Sequence, residues 1–230
     1  GQLDIIKRWE YSNPSGIEAQ FAIKALTDKR QAGQNDFNPS TEKLTTAHYG
    51  LGIAIQQYQL TSKVGYVFPQ QKYKSIGLIF SALGYNNQSY YGLNQYNAKQ
   101  GSLYTNLIYQ STIGSSVHKF RTGISLVSDH YNETFANANF QRQEFVPGTF
   151  FEYTFAPGSR FTAIAGLRAD HQNQYRWIAT PRINLKYDVT AETQLRMSAG
   201  SGFRTASIFA ENTGLFVSSR QYEIVAPNTT

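Results

Sequence analysis

Apolar and polar residues alternate with a period of two along most of the chain. In one stretch the apolar residues Leu195, Met197 and Ala199 alternate with polar ones, among them Arg196. Successive side chains leave opposite faces of a β-strand, so this pattern predicts a strand with one apolar and one polar face. The same pattern recurs about ten times.

The connections between these stretches alternate strictly between short turns and long polar segments. The short turns lie near 13–16, 69–74, 114–116, 157–159 and 188–192. The long polar segments lie near 28–44, 86–100, 129–142, 170–179 and 205–230. Outer-membrane barrels have short periplasmic turns and long extracellular loops. The pattern therefore predicts an all-β fold, an antiparallel transmembrane β-barrel segment of about ten strands with the long segments as extracellular loops.

Aromatic residues end the apolar face on the side of the short turns. They are Phe68, Tyr109, Tyr153, Phe155 and Tyr187. A membrane barrel carries an aromatic girdle at this position. A soluble β-sandwich also has alternating strands, but its connections have no reason to alternate in length. The shared position of the aromatics favours the barrel.

The composition agrees with a barrel wall. Aromatics make up 14% of the residues, with 16 Tyr and 15 Phe, although the mean hydropathy is negative. No run of 18 apolar residues occurs, so no transmembrane helix is predicted. No signal peptide begins at Gly1, as in a mature or excised segment. The absence of cysteine excludes disulfides and thiolate metal sites.

The formal charge of +6 does not indicate nucleic-acid binding. Lys and Arg are scattered along the strands without a basic run, whereas nucleic-acid sites cluster them. We interpret them as residues of a polar barrel lumen.

No catalytic or cofactor-binding motif is present. The chain has no Gly-x-Ser-x-Gly and no P-loop, and its four histidines lack the spacing of a zinc enzyme. The sequence therefore predicts neither an enzyme, nor a cofactor, nor a metal site. His130 and His171 lie where strands enter long polar segments, and they are either ligand-binding residues or solvated loop histidines.

A set of short motifs in the second half has a specific order. Gly166-Leu167-Arg168-Ala169-Asp170 is followed by Pro181-Arg182, then by Gly200-Ser201-Gly202-Phe203-Arg204, Glu211-Asn212 and Ser218-Ser219-Arg220. This order resembles the late barrel of TonB-dependent outer-membrane receptors, especially those of Bacteroidetes. The resemblance is clearest over 144–220.

The resemblance implies the fold and partners of a larger receptor. Intact members have a 22-stranded barrel, an N-terminal plug domain in the lumen and a segment that contacts TonB. Residues 1–230 would then be part of the barrel domain, with the plug and the closing strand outside them. The implied partners are the plug domain, the remaining strands, the TonB complex, outer-membrane lipid and a small-molecule or glycan ligand. The implied function is energised uptake of a siderophore, cobalamin or glycan across a Gram-negative outer membrane.

Two sets of site residues follow from the pattern and the resemblance. The first consists of inward-facing charges, which either pair along the wall or contact the plug: Arg168, Asp170, Arg182, Arg196, Arg204 and Glu211. We expect Arg204 to bind a carboxylate, with Asp170 as the best partner within this chain. The second set would form a ligand surface in the extracellular loops: Tyr90, Tyr91, Tyr96, His130, His171, Tyr175 and Trp177. Its alternative is packing at the membrane interface or within loops.

Two other functions remain open from the sequence. A small complete barrel acting as a passive pore or adhesin would require these strands to close on themselves. A soluble all-β binding module would require the apolar face to be a core.

Overall fold

A computed structural model describes residues 1–135 and 138–217. Ten strands form one antiparallel sheet in chain order, each paired with the next. Their bounds are β1 (Gln2–Ser12), β2 (Ile17–Gly33), β3 (Gly50–Val67), β4 (Ser75–Tyr91), β5 (Asn94–Ile113), β6 (Ser115–Phe135), β7 (Ala138–Phe155), β8 (Phe161–Gln172), β9 (Arg176–Asp188) and β10 (Gln194–Gly200). The predicted ten-stranded wall is confirmed, and all five short turns lie where the sequence placed them.

The strand register gathers the apolar residues into one belt on the outward face. Leu107 lies opposite Leu78 on β4 and Ile124 on β6. Across the last pair, Met197 faces Leu185. Belt side chains remain exposed, Leu195 by 60%. A continuous exposed apolar surface of this kind suits contact with lipid rather than water.

Aromatic residues bound the belt at both ends. On the short-turn side Tyr66 packs against Phe68 with ring centroids 5.0 Å apart, as the predicted girdle requires. At the other end Tyr58 and Trp177 project outward, 63% and 72% exposed. Tyr58 and Tyr66 are eight residues apart on β3, which is about 27 Å along a strand. At the usual strand tilt of about 35–45° this length spans about 19–22 Å of height, which is most of an apolar band about 25 Å tall.

The described residues of the polar segments at 86–100 and 129–142 lie almost entirely in strands, so the prediction of these segments as loops is wrong. β4 and β5 continue to a two-residue turn at Gly92 and Leu93, where Gly92 has a φ of 58°. β6 and β7 are paired up to Phe135 and Ala138. Much of 170–179 also belongs to strands, β8 and β9. Both faces of these extensions carry polar side chains, which hid the alternation. The loop 34–49 between β2 and β3 remains a long connection.

The chain leaves the sheet after β10 and folds over its inward face. Two helical turns follow, α1 (Ile208–Glu211) and α2 (Thr213–Phe216). Phe209 and Phe216 belong to the main buried cluster of the described residues, under the tall ends of β4–β7. The motif Ser218-Ser219-Arg220 lies outside the described residues. No described helix is long and apolar enough to cross a membrane.

Candidate functional site

The inward face of the wall carries a row of charges that spans four strands. Arg121, Glu152, Gly166 and Arg182 stand in one register row across β6–β9. Arg182 pairs with Glu152, whose other oxygen lies 3.7 Å from Arg121. A Cβ atom on Gly166 would lie 3.0 Å from Nε of Arg182. The glycine therefore leaves room for the arginine to reach across β8 to its partner.

A second charge pair lies nearer the extracellular end. Arg168 donates from Nε and Nη2 to the two carboxylate oxygens of Asp170, both at 2.6 Å, and from Nη2 to Oγ of Ser125 at 2.7 Å. A Cβ atom on Gly148 would lie 1.9 Å from Oδ1 of Asp170. Gly148 is therefore required for this bidentate pair to lie flat against β7.

Arg204 does bind a carboxylate, but the predicted partner Asp170 is wrong. Its Nη2 lies 3.0 Å from Oε1 of Glu211, because the turn α1 brings Glu211 back towards the end of β10. Arg168 holds both oxygens of Asp170 instead. Arg204 is mostly exposed, so the pair contributes little to stability. Arg196 donates to Gln194 on its own strand.

The structure gives each of the six predicted charges a polar partner, but it mostly does not bring them to each other. Within the wall, Arg168 meets Asp170 and Arg182 meets Glu152, which the sequence did not single out. Arg204 meets Glu211 outside the wall, in residues 201–217 after β10. Only the pairs within the wall fit the wall-pairing alternative. A role in contacting a plug stays a prediction.

Above the belt, the inward face forms an aromatic recess. Its wall is made of Tyr91, Tyr96, Phe135 and Phe140, and Phe209 and Phe216 fill it, only 4% and 3% exposed. The Phe135 and Phe216 ring centroids are 4.6 Å apart, and those of Phe140 and Phe209 are 4.9 Å apart. Aromatic pairs at these distances add about 0.5–1.5 kcal/mol each to the burial of their area.

Buried polar groups lie beside the recess. Tyr96 donates its hydroxyl proton to Oε1 of Glu133 at 2.6 Å, and both residues are buried. The buried Oδ1 of Asn87 has no hydrogen-bond partner among the described residues. The inner face of the rim is therefore a mixed surface of aromatic rings and strong hydrogen-bonding groups.

Polar contacts fix the covering segment, residues 201–217, to the wall. Arg142 donates from Nη1 to the carbonyl of Ala206 at 2.8 Å, and Thr205 donates to Oε2 of Glu144 at 2.8 Å. Sequence reasoning missed Arg142 and Glu144 because they lie in a segment predicted to be a loop. The available signal was the alternation of the charged residues Arg142 and Glu144 with the uncharged Gln141 and Gln143.

The predicted ligand aromatics do not form one exposed surface. Tyr90, Tyr91 and Tyr96 lie in strands and are buried, so their placement in an open loop is wrong. Tyr91 and Tyr96 face the recess, while Tyr90 faces outward beneath Lys43, whose Nζ is 4.9 Å from the ring centroid. Tyr175 is exposed at the turn between β8 and β9, and its ring centroid lies 5.4 Å from that of Phe203.

The two predicted histidines and Trp177 lie on the outward side. His130 shares a row with Gly101, and His171 packs edge-on against Trp177, with ring centroids 5.2 Å apart. A role in ligand binding for the predicted tyrosines, histidines and Trp177 stays a prediction. No cluster of three or more metal-ligating side chains occurs in 1–135 and 138–217.

Polar contacts of Glu42 link two other residues within the loop 34–49. Oε2 of Glu42 accepts the backbone N–H of Asn38 at 2.8 Å, and Oε1 lies 3.1 Å from Nδ1 of His48. These contacts, the backbone bond first, lower the pKa of Glu42 below its usual value. The ionised carboxylate thus links the backbone of Asn38 to the ring of His48 within the loop.

Comparison with known proteins identifies the family. Residues 7–229 match the family described as TonB dependent receptor-like, beta-barrel. The alcaligin outer-membrane receptor FauA from Bordetella pertussis is similar in structure, with a TM-score of 0.63 at 9% identity over 86% of this chain and 34% of that one. The siderophore receptor PirA from Pseudomonas aeruginosa gives a TM-score of 0.48 at 9% identity over 90% of this chain and 40% of that one. The chain thus spans well under half the length of these structures.

A search of curated proteins finds no match. The family match covers nearly the whole chain and agrees with the ten-stranded sheet, its outward belt and its charged inner face. The chain therefore belongs to the TonB-dependent receptor family, as a β-barrel sequence of the Gram-negative outer membrane.

Proposed function

We propose that these ten strands are part of the wall of a receptor that captures a scarce ligand at the cell surface and imports it in a TonB-dependent step. In this proposal residues 1–230 belong to the barrel domain, and a plug domain and further strands complete the receptor. The whole protein would act as a transporter rather than an enzyme.

The observation that carries the proposal is the inward folding of residues 201–217 over the aromatic recess. A passive pore functions with an open lumen, and nothing in that function calls for a segment packed across the inner rim. A gated receptor needs its rim to be occupied until ligand and energy are supplied. The buried Phe209 and Phe216 and the bonds from Arg142 and Thr205 make this segment an ordered part of the rim.

The inward charge pairs support a plug partner. The row from Arg121 to Arg182 and the Arg168–Asp170 pair face the lumen, where a plug would lie. Arg121 and Arg182 are about half exposed, so each retains donors that are free to bind a second surface. A plug with carboxylates facing this wall would complete their hydrogen bonds.

The first ligand class to test is a ferric siderophore. FauA is described as an alcaligin receptor and PirA as a siderophore receptor. The rings, hydroxyls and carboxylates at the rim also suit cobalamin or a glycan, since tyrosine offers both an apolar face and a polar tip.

The test measures binding and uptake separately in cells that express the intact receptor. Cells with and without TonB receive a labelled ferric chelate, and surface-bound and internalised label are counted. We expect high-affinity surface binding in both strains and uptake only with TonB. Uptake in both strains that rises linearly with concentration would establish a passive pore instead, and binding without uptake in either strain would establish an adhesin.

A further inference from the structure

Two glycines face each other on the outward side of the sheet without a reason in the fold. Gly84 on β4 pairs with Gly101 on β5. A Cβ atom on either one would meet no atom within 4 Å, and neither has a positive φ. Glycine in a strand interior weakens it and often marks a place where a ligand approaches the backbone closely. The space above this pair is therefore open to a molecule outside the wall.

The pair is the floor of a groove with aromatic walls. Tyr58 lies beside Gly84 and His130 beside Gly101 in the same register row. The row from Tyr58 to His130 spans three strand spacings, about 14 Å. One row below, the small side chain of Ala82 stands between Leu60 and Leu103, so the groove continues down into the apolar belt.

The lower part of this glycine groove also contains a cation. Lys7 on β1 lines the groove on the outward face, with Nζ 5.8 Å from the Trp9 ring centroid. A lysine among lipid-facing residues is costly unless it reaches a polar or anionic group. A phosphate group of a bound lipid would supply such a partner.

Directly above the groove the outward face becomes a row of hydrogen-bonding side chains. The row crosses five strands and consists of Gln56, Asn86, Lys99, Asn132 and Gln141. Amides and a lysine at this height match sugar hydroxyls and phosphates. From bottom to top, the surface is thus apolar with one lysine, then aromatic, then amide-rich with a second lysine.

We propose that the glycine groove binds one outer-leaflet glycolipid with a phosphorylated sugar head group. An acyl chain lies in the lower groove between Leu60 and Leu103, and the head group lies on Gly84 and Gly101 between Tyr58 and His130. Continuity with the belt favours this occupant, since a molecule whose chains contact the belt must hold its head group in front of the amide row. The site is independent of transport, because it faces away from the lumen.

The experiment fills the groove in the full receptor. Gly84→Val with Gly101→Val places two β-branched side chains where nothing obstructs them, so the wall is expected to assemble. The matched control is Gly65→Val with Gly77→Val, a directly paired glycine couple on the inward face with ordinary space around each Cβ atom. Receptor is purified in mild detergent from membranes containing lipopolysaccharide, and bound lipid is counted by native mass spectrometry. The thermal midpoint is measured in nanodiscs of lipopolysaccharide and of phosphatidylglycerol.

We expect the groove-filled receptor to retain at least tenfold less lipopolysaccharide and to lose the extra thermal stability that lipopolysaccharide gives the wild type. The control should retain both. Equal retention in the two variants would overturn the proposal, as would an equal loss of phosphatidylglycerol. If the valine variant does not assemble, Tyr58→Ser with His130→Ser tests the same groove from its walls, with the same outcomes for and against.

Discussion

Removing the Phe216 ring should release the covering segment from the rim without unfolding the barrel wall. Phe216 is among the most buried apolar side chains of the described residues and contacts Tyr91, Tyr96, Phe135 and Phe209. The strands beneath it are held by continuous ladders of backbone hydrogen bonds, which the substitution leaves intact. The effect should therefore be confined to residues 201–217.

The size of the effect follows from burial and ring contacts. Phe→Ala substitutions at buried positions cost about 3–5 kcal/mol. The polar anchors to Arg142 and Glu144 remain, each a hydrogen bond to a charged group and worth about 1.5–3 kcal/mol. We therefore expect the segment to stay partly docked, with its local opening equilibrium raised by about 100- to 4000-fold, since each 1.4 kcal/mol is a factor of ten.

Native-state hydrogen exchange of the full receptor measures this opening. The amides of Glu211 and Asn212 donate to the carbonyls of Ser207 and Phe209 and report on α1. Phe203→Ala is the matched control, because Phe203 lies in the same segment but is exposed. If Phe216→Ala loses no more protection than Phe203→Ala, the recess does not hold the segment. If exchange rises throughout β4–β7 as well, the segment is a structural brace of the wall.

Three further predictions concern the belt, the inner face and the loop. Leu126→Arg should disfavour membrane insertion by about 2–4 kcal/mol, because Leu126 shares the outward row of Ser62, midway between Tyr58 and Tyr66. Asn184→Arg, on the inward face, should be far milder, and equal effects in a membrane-folding assay would contradict the face assignment. Gly148→Ala should destabilise the wall by about 1–3 kcal/mol in chemical unfolding because its methyl group displaces the carboxylate beneath it, whereas Gly158→Ala, with open space around it, should be neutral. The lowered pKa of Glu42 means that its stabilisation of the loop 34–49 is present above the ordinary carboxyl pKa and is lost as pH falls through the lowered value. Amide protection at Asn38, corrected for intrinsic rate, should therefore fall only under acid conditions and should lose this dependence in Glu42→Gln.

Period two and turn signals were sufficient to predict the wall. Apolar residues such as Leu185 and Met197 alternate with polar residues because one face of each strand meets lipid and the other meets water. The polarity of each residue therefore indicates the face on which it lies. The alternation of short turns with long polar segments predicted the orientation, although most of this polar length extends the strands rather than forming loops. Above the belt this information disappears, since Asn86 and Asn87 are both polar although one faces outward and the other is buried inward.

The recess could not be predicted because it depends on contacts between distant parts of the chain. Tyr96 and Phe216 are 120 positions apart, and no local pattern links them. The pairing of Arg204 was mispredicted for a similar reason. Asp170 was predicted because its strand lies two strands away from β10 in the sheet. The helical turn α1 after β10 instead places Glu211 closer to Arg204.

The most direct test of the account is cysteine labelling of the receptor in intact cells, with the unsubstituted receptor as the background; residues 1–230 contain no cysteine. Cysteine is placed in the loop 34–49 at Asn38, in the belt at Ile124 and in a short turn at Gly158. We predict that a membrane-impermeant maleimide labels Asn38→Cys from outside, labels Gly158→Cys only after permeabilisation, and leaves Ile124→Cys unlabelled until the membrane is dissolved. Labelling of Ile124→Cys in intact membranes, or of Gly158→Cys from outside, would contradict the lipid-facing belt and the orientation on which the receptor function rests.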